Sequence, residues 1–274
     1  MTKRPTDPLA DSLAGSASDH GEDACPPVRA RLFVRESLAA GATLGLSATQ
    51  AHYLRHVLRL EAADKVALFN GVDGEWTAVI AGFGKGWASV DVTARRRPQV
   101  AEPDLWLLFA PVKRARLDYL VQKAAELGTS RLIPVMTERT NVARVNVERL
   151  AANVVEAAQQ TGRLSVPEVT APASLMEALN DWDPARQLMV CDETGKGPPV
   201  MTALAAAKRG GPWAILIGPE GGFAAAELDA LRNLPFVVPV SLGPRLLRAD
   251  TAAVAALSCW QAILGDWSET TPSG

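Results

Sequence analysis

Apolar positions fall into two regimes along this chain. Between Arg29 and Arg97 they form short runs that alternate with polar residues: RLFV at 31–34, KVALFNG at 65–71, EWTAVIAGF at 75–83 and WASVDVTA at 87–94. Short alternating runs bounded by turn residues predict β-strands. Asn70-Gly71 and Asp73-Gly74 separate the second run from the third and mark a hairpin-like pair. One helical stretch interrupts them, SATQAHYLRHVLRL at 47–60, with Ser47 or Thr49 as its N-cap. The expected unit is a small β-barrel with one helix over residues 29–97. Arg95-Arg96-Arg97 closes it, and PQVAEP at 98–103 reads as a linker.

From Asp104 the period changes. LWLLFAP (105–111), RLIPVMT (131–137) and QLMVCDE (187–193) are short, nearly continuous apolar runs, and each is followed by a helical pattern. The helices expected are RARLDYLVQKAAELG, capped by Gly128, NVERLAANVVEAAQQTG, ending at Gly162, and PVMTALAAAKRGG. Two more strand-turn-helix units follow. Trp213–Ile217 stops at Gly218-Pro219-Glu220-Gly221-Gly222, and Val237–Leu242 stops at Gly243-Pro244-Arg245. Alternating strands and helices predict an α/β domain over 104–267 with a mostly parallel sheet covered by helices. Residues 1–28 and 268–274, without periodicity, are expected to be tails, the first of them disordered.

At 274 residues and 48% apolar content, the chain has room for one large domain or two modest ones. Its longest apolar runs are too short for a membrane span, and no apolar segment follows Lys3-Arg4 as a secretory signal would require. Cys25, Cys191 and Cys259 are scattered and odd in number, which fits a reducing cytoplasm and neither a disulfide framework nor a zinc site. The net charge of −2 argues against a polyanionic partner only as a total. Residues 29–97 carry ten basic and six acidic side chains, so the positive charge is concentrated in the β-rich segment.

The two Gly-Pro turns carry the candidate chemistry. Glycines at the C-terminal ends of strands let backbone approach a ligand, and the helix that follows offers free N–H donors. The turn at 218–222 matches neither GxGxxG nor the phosphate-binding P-loop, and no acidic residue follows at the ribose-binding distance, so a nicotinamide dinucleotide is disfavoured. In the second turn, LGPRLLRADTA, Arg245 and Arg248 flank a helix start that Asp250 or Thr251 would cap. Two arginines at a ligand-facing turn point to an anionic partner. His52 and His56 have metal-ligand spacing on a helix but no evident third ligand, so no metal is expected. Arg55, His56 and Arg59 are instead candidates for phosphate contact, as are Lys113 with Arg114 and Arg116 after the first strand of the α/β domain. Arg163, at a helix end, is a candidate substrate contact.

These turns, in this order, resemble those of the RsmE family, the 16S ribosomal RNA uracil-N3 methyltransferases of the SPOUT superfamily. Further matches are RLFV at 31–34, HYLRHVLRL at 52–60, LFNGVDGEW at 68–76, KRARLDYLVQKAAELG at 113–128, TERT at 137–140 and QQTGRLSVPEV at 159–169. The resemblance covers residues 30–266. It implies a PUA-like barrel for RNA, with Arg31 joining Arg55, His56, Arg59, Lys113 and Arg163 as RNA contacts. It also implies a SPOUT domain with a C-terminal trefoil knot, S-adenosylmethionine as cofactor, and an active site at a homodimer interface. By position the cofactor loops are Thr137 and its neighbours, Gly218-Pro219-Glu220-Gly221-Gly222, and Leu242 to Leu247 with Gly243. Arg248 and Arg245 become the expected anion stabilisers, Asp250 the base or arginine orienter, and Glu220 a second acid. The partner implied is 16S RNA in the 30S particle, in the cytoplasm. Two departures from the family pattern stand out: Asp250 replaces a Glu, and Ala158-Gln159-Gln160-Thr161-Gly162-Arg163 lacks the acid of the usual Glu-Gln-Ser/Cys-Gly-Arg. The alternatives are a SPOUT enzyme acting elsewhere on RNA, such as a ribose 2′-OH, and a non-catalytic RNA-binding protein. A nucleotide-binding oxidoreductase ranks below both.

Overall fold

The computed structural model describes residues 28–268, so the tails expected at both ends lie, but for Val28 and Ser268, outside the described residues, as does Cys25. Two sheets divide the rest. The first has five strands in the order β1-β3-β4-β5-β2: β1 Arg31–Phe33, β2 Thr43–Leu46, β3 Lys65–Phe69, β4 Glu75–Gly84 and β5 Trp87–Arg97. Only β1 and β3 run parallel, and the other pairings are antiparallel. Leu32, Val66, Leu68, Ile80, Val90 and Val92 alternate inward from these strands and meet Leu54 in a buried core. The turn dipeptides lie between β3 and β4 as the pattern predicts, and Gly71 and Gly74 both adopt φ of +84°.

The helical stretch is shorter and less regular than its periodicity suggests. Helix α1, Ala48–His52, starts at Ser47, whose side chain accepts from Gln50 N–H while the Gln50 side chain accepts from Ser47 N–H. This reciprocal box settles the N-cap on Ser47 and leaves Thr49 inside the helix. The chain then widens into one π-helical turn, Tyr53–Val57, and Arg59 closes it with φ of +55°. Strand β2 has no counterpart in the sequence reading, since TLGL is short, contains Gly45 and buries only its last residue.

The second sheet is parallel at every pairing and runs β12-β10-β11-β6-β7-β8, with β9 also on β7. Its strands are β6 Leu105–Phe109, β7 Arg131–Met136, β8 Glu168–Val169, β9 Ala173–Ser174, β10 Gln187–Cys191, β11 Trp213–Ile217 and β12 Val237–Val240. Helices α2 Arg114–Glu126, α3 Val147–Thr161, α5 Val200–Ala205 and α7 Ala249–Ile263 cover one face, where Leu105, Leu107, Phe109, Ile215 and Ile217 point. The short α4 Leu175–Ala178 and α6 Ala225–Arg232 cover the other, against Leu108, Val135, Val190, Ala214 and Leu216. Burial on both faces explains why these strands read as continuous apolar runs. Leu127 is the C-cap of α2, and Gly128 is the left-handed residue after it. The segments β8, β9 and α4 are two to four residues long, too short to show a period. Among the described residues no helix is long and apolar enough to cross a membrane.

The turn at Gly74 brings β4 back against the end of β5. A Cβ there would stand 2.2 Å from the carbonyl oxygen of Arg97 and 2.8 Å from Gln99 N, and both atoms are backbone that cannot step aside. Gly74→Ala therefore combines a left-handed backbone with a main-chain clash. It should destabilise the protein by about 3 kcal/mol, seen as a lower urea midpoint with an unchanged slope.

Candidate functional site

Strands β10, β11 and β12 lie side by side and end at the same edge, so the three loops that leave them converge. Between these loops is a crevice of two adjoining cavities, about 610 and 230 Å³. The larger is lined by Gly218 to Gly222 from the first turn and by Leu246, Leu247 and Arg248 from the second. The smaller is lined by Leu242, Gly243, Pro244 and Arg245. Cys191 and Glu193, from the end of β10, border both. No sequence motif pointed to these two, because their role depends on β10 sitting between β11 and β12.

The first turn is held in shape by its neighbours. Gly222 has φ of +70°, and its N–H donates to the carbonyl of Pro219 at 2.9 Å. Phe223 N–H donates to Glu193 Oε1 at 2.9 Å, and the Phe223 ring packs where a Cβ on Gly218 would be, 2.8 Å away. Glu227 ties two loops together by accepting from Ala224 N–H at 2.8 Å and from Glu138 N–H at 2.9 Å. Arg139 donates to the carbonyl of Gly221 at 3.1 Å, and Arg116 forms an ion pair with Glu220. Backbone donors that would otherwise need water are thereby satisfied before any ligand arrives.

Thr137 belongs to this scaffold. It is 8% exposed, its hydroxyl lies 2.8 Å from that of Thr140, and it lines neither cavity. It shapes the loop that carries Glu138 and Arg139.

The second turn presents its arginines. Gly243 takes φ of +106°, and Leu246 is 83% exposed. Arg245 and Arg248 are exposed, and their side chains have no ion-pair or hydrogen-bond partner among the described residues. Neither is paired with Asp250. The helix-cap expectation is corrected here: α7 has Arg248 as its N-cap residue, without a side-chain cap bond, and Asp250 and Thr251 lie within the first turn. Asp250 Oδ1 accepts from Thr251 N–H at 3.0 Å, and its charge favours the positive end of the helix dipole. Asp250 lines neither cavity. Asp192, at the smaller cavity, is committed to structure. Burial pushes its carboxyl up, but hydrogen bonds from Thr194 and Arg232 outweigh that and hold it below the usual carboxylate range.

Two of the expected RNA contacts are engaged within the protein. Arg163 is 9% exposed and donates to the carbonyls of Ala125 at 2.6 Å and Thr129 at 2.9 Å, with Glu102 as its ion-pair partner. Arg31 donates to Glu75 and to carbonyls at the end of α3. Both guanidiniums are used inside the protein. Arg55, His56, Arg59 and Lys113 are exposed. Arg55 sits 5.7 Å over the Phe83 ring, and the His52 ring lies against that of His56, tilted, at 4.8 Å between centroids. Among the described residues no group of three metal-ligand side chains occurs.

Comparison with known proteins bears on this geometry. Residues 100–261 match the model of an RNA methyltransferase domain, and residues 46–92 match that of an RNA methyltransferase PUA domain. The ribosomal RNA small subunit methyltransferase E of Rickettsia conorii is 31% identical over 229 residues, covering 83% of this chain and 93% of the relative. That of Synechocystis is 30% identical over 237 residues, covering 85% and 78%. Among solved structures, a ribosomal RNA small subunit methyltransferase E from Neisseria gonorrhoeae, bound to S-adenosyl methionine, superposes with a TM-score of 0.78 at 27% identity, covering 87% of this chain and 99% of that one. A Legionella pneumophila methyltransferase with bound SAM gives 0.75 at 29% identity, covering 86% and 98%.

Cys191 offers a chemical test of the crevice wall. Burial, with a smaller contribution from nearby Cys259, pushes its thiol up to about 12. At pH 8 only about one thiol in ten thousand is then the reactive thiolate. Iodoacetamide at pH 8 should leave Cys191 unmodified in the folded protein and label it readily in denaturant, as read by peptide mass spectrometry. Rapid labelling of the native protein would mean the wall is more open than described.

Proposed function

The chain belongs to the RNA methyltransferase family that includes ribosomal RNA small subunit methyltransferase E, and on that premise we propose that it transfers a methyl group from S-adenosylmethionine to N3 of a uracil in 16S ribosomal RNA. The observation that carries this reading is the crevice. Glycine backbone, apolar Leu246 and Leu247 and the unpaired Arg248 side chain meet there in a cavity of about 610 Å³, and Arg245 borders the adjoining cavity of about 230 Å³. That volume lies in the range of small-molecule sites, and Gly218, Gly221 and Gly222 let a bent cofactor lie against main chain.

S-adenosylmethionine brings an activated methyl on a sulfonium, so the protein supplies orientation and charge. Uracil N3 is nucleophilic only once its proton leaves, and the negative charge then spreads over N3, O2 and O4. Arg248 and Arg245 stabilise that charge from the second turn. Glu220 lines the larger cavity but is tied to Arg116, so Asp250, whose second oxygen has no partner among the described residues, is the freer carboxylate to take the N3 proton or to orient Arg248. Exposed Arg55, His56, Arg59 and Lys113 contact RNA phosphates, with the β-rich domain over 29–97 and the α/β domain over 104–267 acting together.

Three further features complete the reading. The segment after β12 is tied to the one after β10, with Ser241 N–H donating to Pro198 at 2.9 Å and Val200 N–H donating to Ser241 at 3.0 Å. These ties, and a chain that returns from the outermost strand β12 to pack α7 on α2, support a knotted C-terminal region. A second copy, set against the exposed second turn, completes the active site as a homodimer. The substrate is the 30S particle in the cytoplasm.

Arg248→Ala tests the assignment. Methyl transfer to 30S subunits should fall about a hundredfold, while S-adenosylmethionine affinity, measured by calorimetry, stays within about threefold. A fully active variant would remove Arg248 from the mechanism.

A further inference from the structure

A buried ionic junction joins the β-rich domain to the parallel sheet's helices, and neither arm of the chemistry above uses it. Glu75, the first residue of β4, is 4% exposed. Its Oε2 accepts from Arg31 Nε at 2.6 Å and Arg97 Nη2 at 2.8 Å, and its Oε1 accepts from Arg96 Nε at 3.2 Å. Burial pushes this carboxyl up, but the bonds and charges of Arg97 and Arg31 outweigh burial and leave it below its ordinary value. Glu75 thus stays ionised and aims the arginines across the junction.

What they reach is the C-terminus of α3. Arg31 Nη1 donates to the carbonyls of Ala158 at 3.0 Å and Gln159 at 2.9 Å, and its Nη2 to that of Arg163 at 2.8 Å. Arg97 Nη2 donates to the carbonyl of Gly162 at 2.9 Å. The last carbonyls of a helix have no partner within it and carry the negative end of its dipole, so cations from another domain satisfy them twice over. In return, Gln159 Oε1 accepts from Phe33 N–H on edge strand β1 at 3.0 Å. The apolar part of the contact is small, with Phe69, Ala158 and Leu164 buried together and Arg31 lying 4.6 Å over the Phe69 ring. Apolar contact has no direction and lets surfaces slide, whereas these hydrogen bonds fix an angle.

The junction continues inward. Arg163, whose carbonyl Arg31 holds, sends its guanidinium to the carbonyl of Ala125 at the end of α2. Asp118, in the second turn of α2, accepts from Arg149 at 2.6 Å and Asn153 at 2.9 Å, both on α3, so the two helices are tied there as well. Helix α2 then spans 13 residues, about 20 Å, to the end where Arg116 pairs with Glu220 of the cofactor loop. Hydrogen bonds and ion pairs thus link the β-rich domain to the crevice through α3 and α2.

We propose that the Arg31–Glu75 junction is a strut that fixes where RNA held by the β-rich domain meets the cofactor crevice, so that Arg31 and Glu75 are positioning residues for the RNA substrate and not RNA contacts. The proposal rests on the methyltransferase reading. Arg31→Met is the informative variant, because Glu75 keeps Arg96 and Arg97 and no charge is left buried alone. The Gln159→Ala variant, milder still, removes the bond to Phe33 only.

In full-length protein with 30S subunits, Arg31→Met should lower kcat/KM for RNA by about tenfold or more, while S-adenosylmethionine affinity by calorimetry stays within about twofold. Gln159→Ala should do the same to a smaller degree. Amide hydrogen exchange should quicken at 31–34 and 158–163. Loss of cofactor affinity in parallel with methyl transfer would reduce the junction to general stability, and unchanged kcat/KM with faster exchange would overturn the proposal outright. Should the wild type itself methylate no RNA, the functional reading falls alone, and the strut is judged by whether Arg31→Met weakens 30S binding by a similar factor.

Discussion

The site depends on one constraint: three parallel strands, β10, β11 and β12, that end together with the order of the chain broken between them. Where strand order reverses, the loops leaving neighbouring strands part and open a crevice. Those loops are irregular backbone, and each N–H needs a partner. Glu227 and Glu193 accept from Ala224, Glu138 and Phe223, while Arg139 donates to Gly221, so the loop shape is set by side-chain hydrogen bonds already made within the protein. The glycines can then present bare main chain to a cofactor without collapsing onto each other.

Charge in this protein divides by what surrounds it. Arg31, Arg97 and Arg163 are drawn to carbonyls at helix ends and to Glu75 or Glu102, and for Arg163, which is buried, and Arg31, which is largely covered, the cost of desolvation is offset by several hydrogen bonds each. Arg245 and Arg248 have no such partner among the described residues and stay at the crevice mouth, where a developing anion would find them. The basic character of residues 29–97 therefore serves two ends, one in cohesion and one on the surface around Arg55 and Arg59.

Much of this was legible in the sequence. Continuous apolar runs announced the strands of the parallel sheet because both faces are buried, and Asn70-Gly71 with Asp73-Gly74 located the β3–β4 turn because both glycines need positive φ. The Gly-Pro turns located the crevice through backbone freedom alone. What stayed hidden was set by tertiary context. An arginine bound for a helix end looks the same in sequence as one bound for RNA, so the sequence does not tell that Arg31 and Arg163 spend their donors on internal carbonyls. Glu193 and Cys191 gained their place from strand order, which periodicity does not encode. The π turn at Tyr53–Val57 and the start of α7 at Arg248 are local choices that depend on packing, with Ala249 buried and Asp250 left to the first turn.

The most direct test of the account is the modified nucleotide itself. The gene would be deleted in its host, 16S RNA digested to nucleosides, and 3-methyluridine measured by mass spectrometry. The account predicts that 3-methyluridine disappears from 16S RNA and returns when the intact gene is restored. An unchanged level in the deletion strain would contradict it.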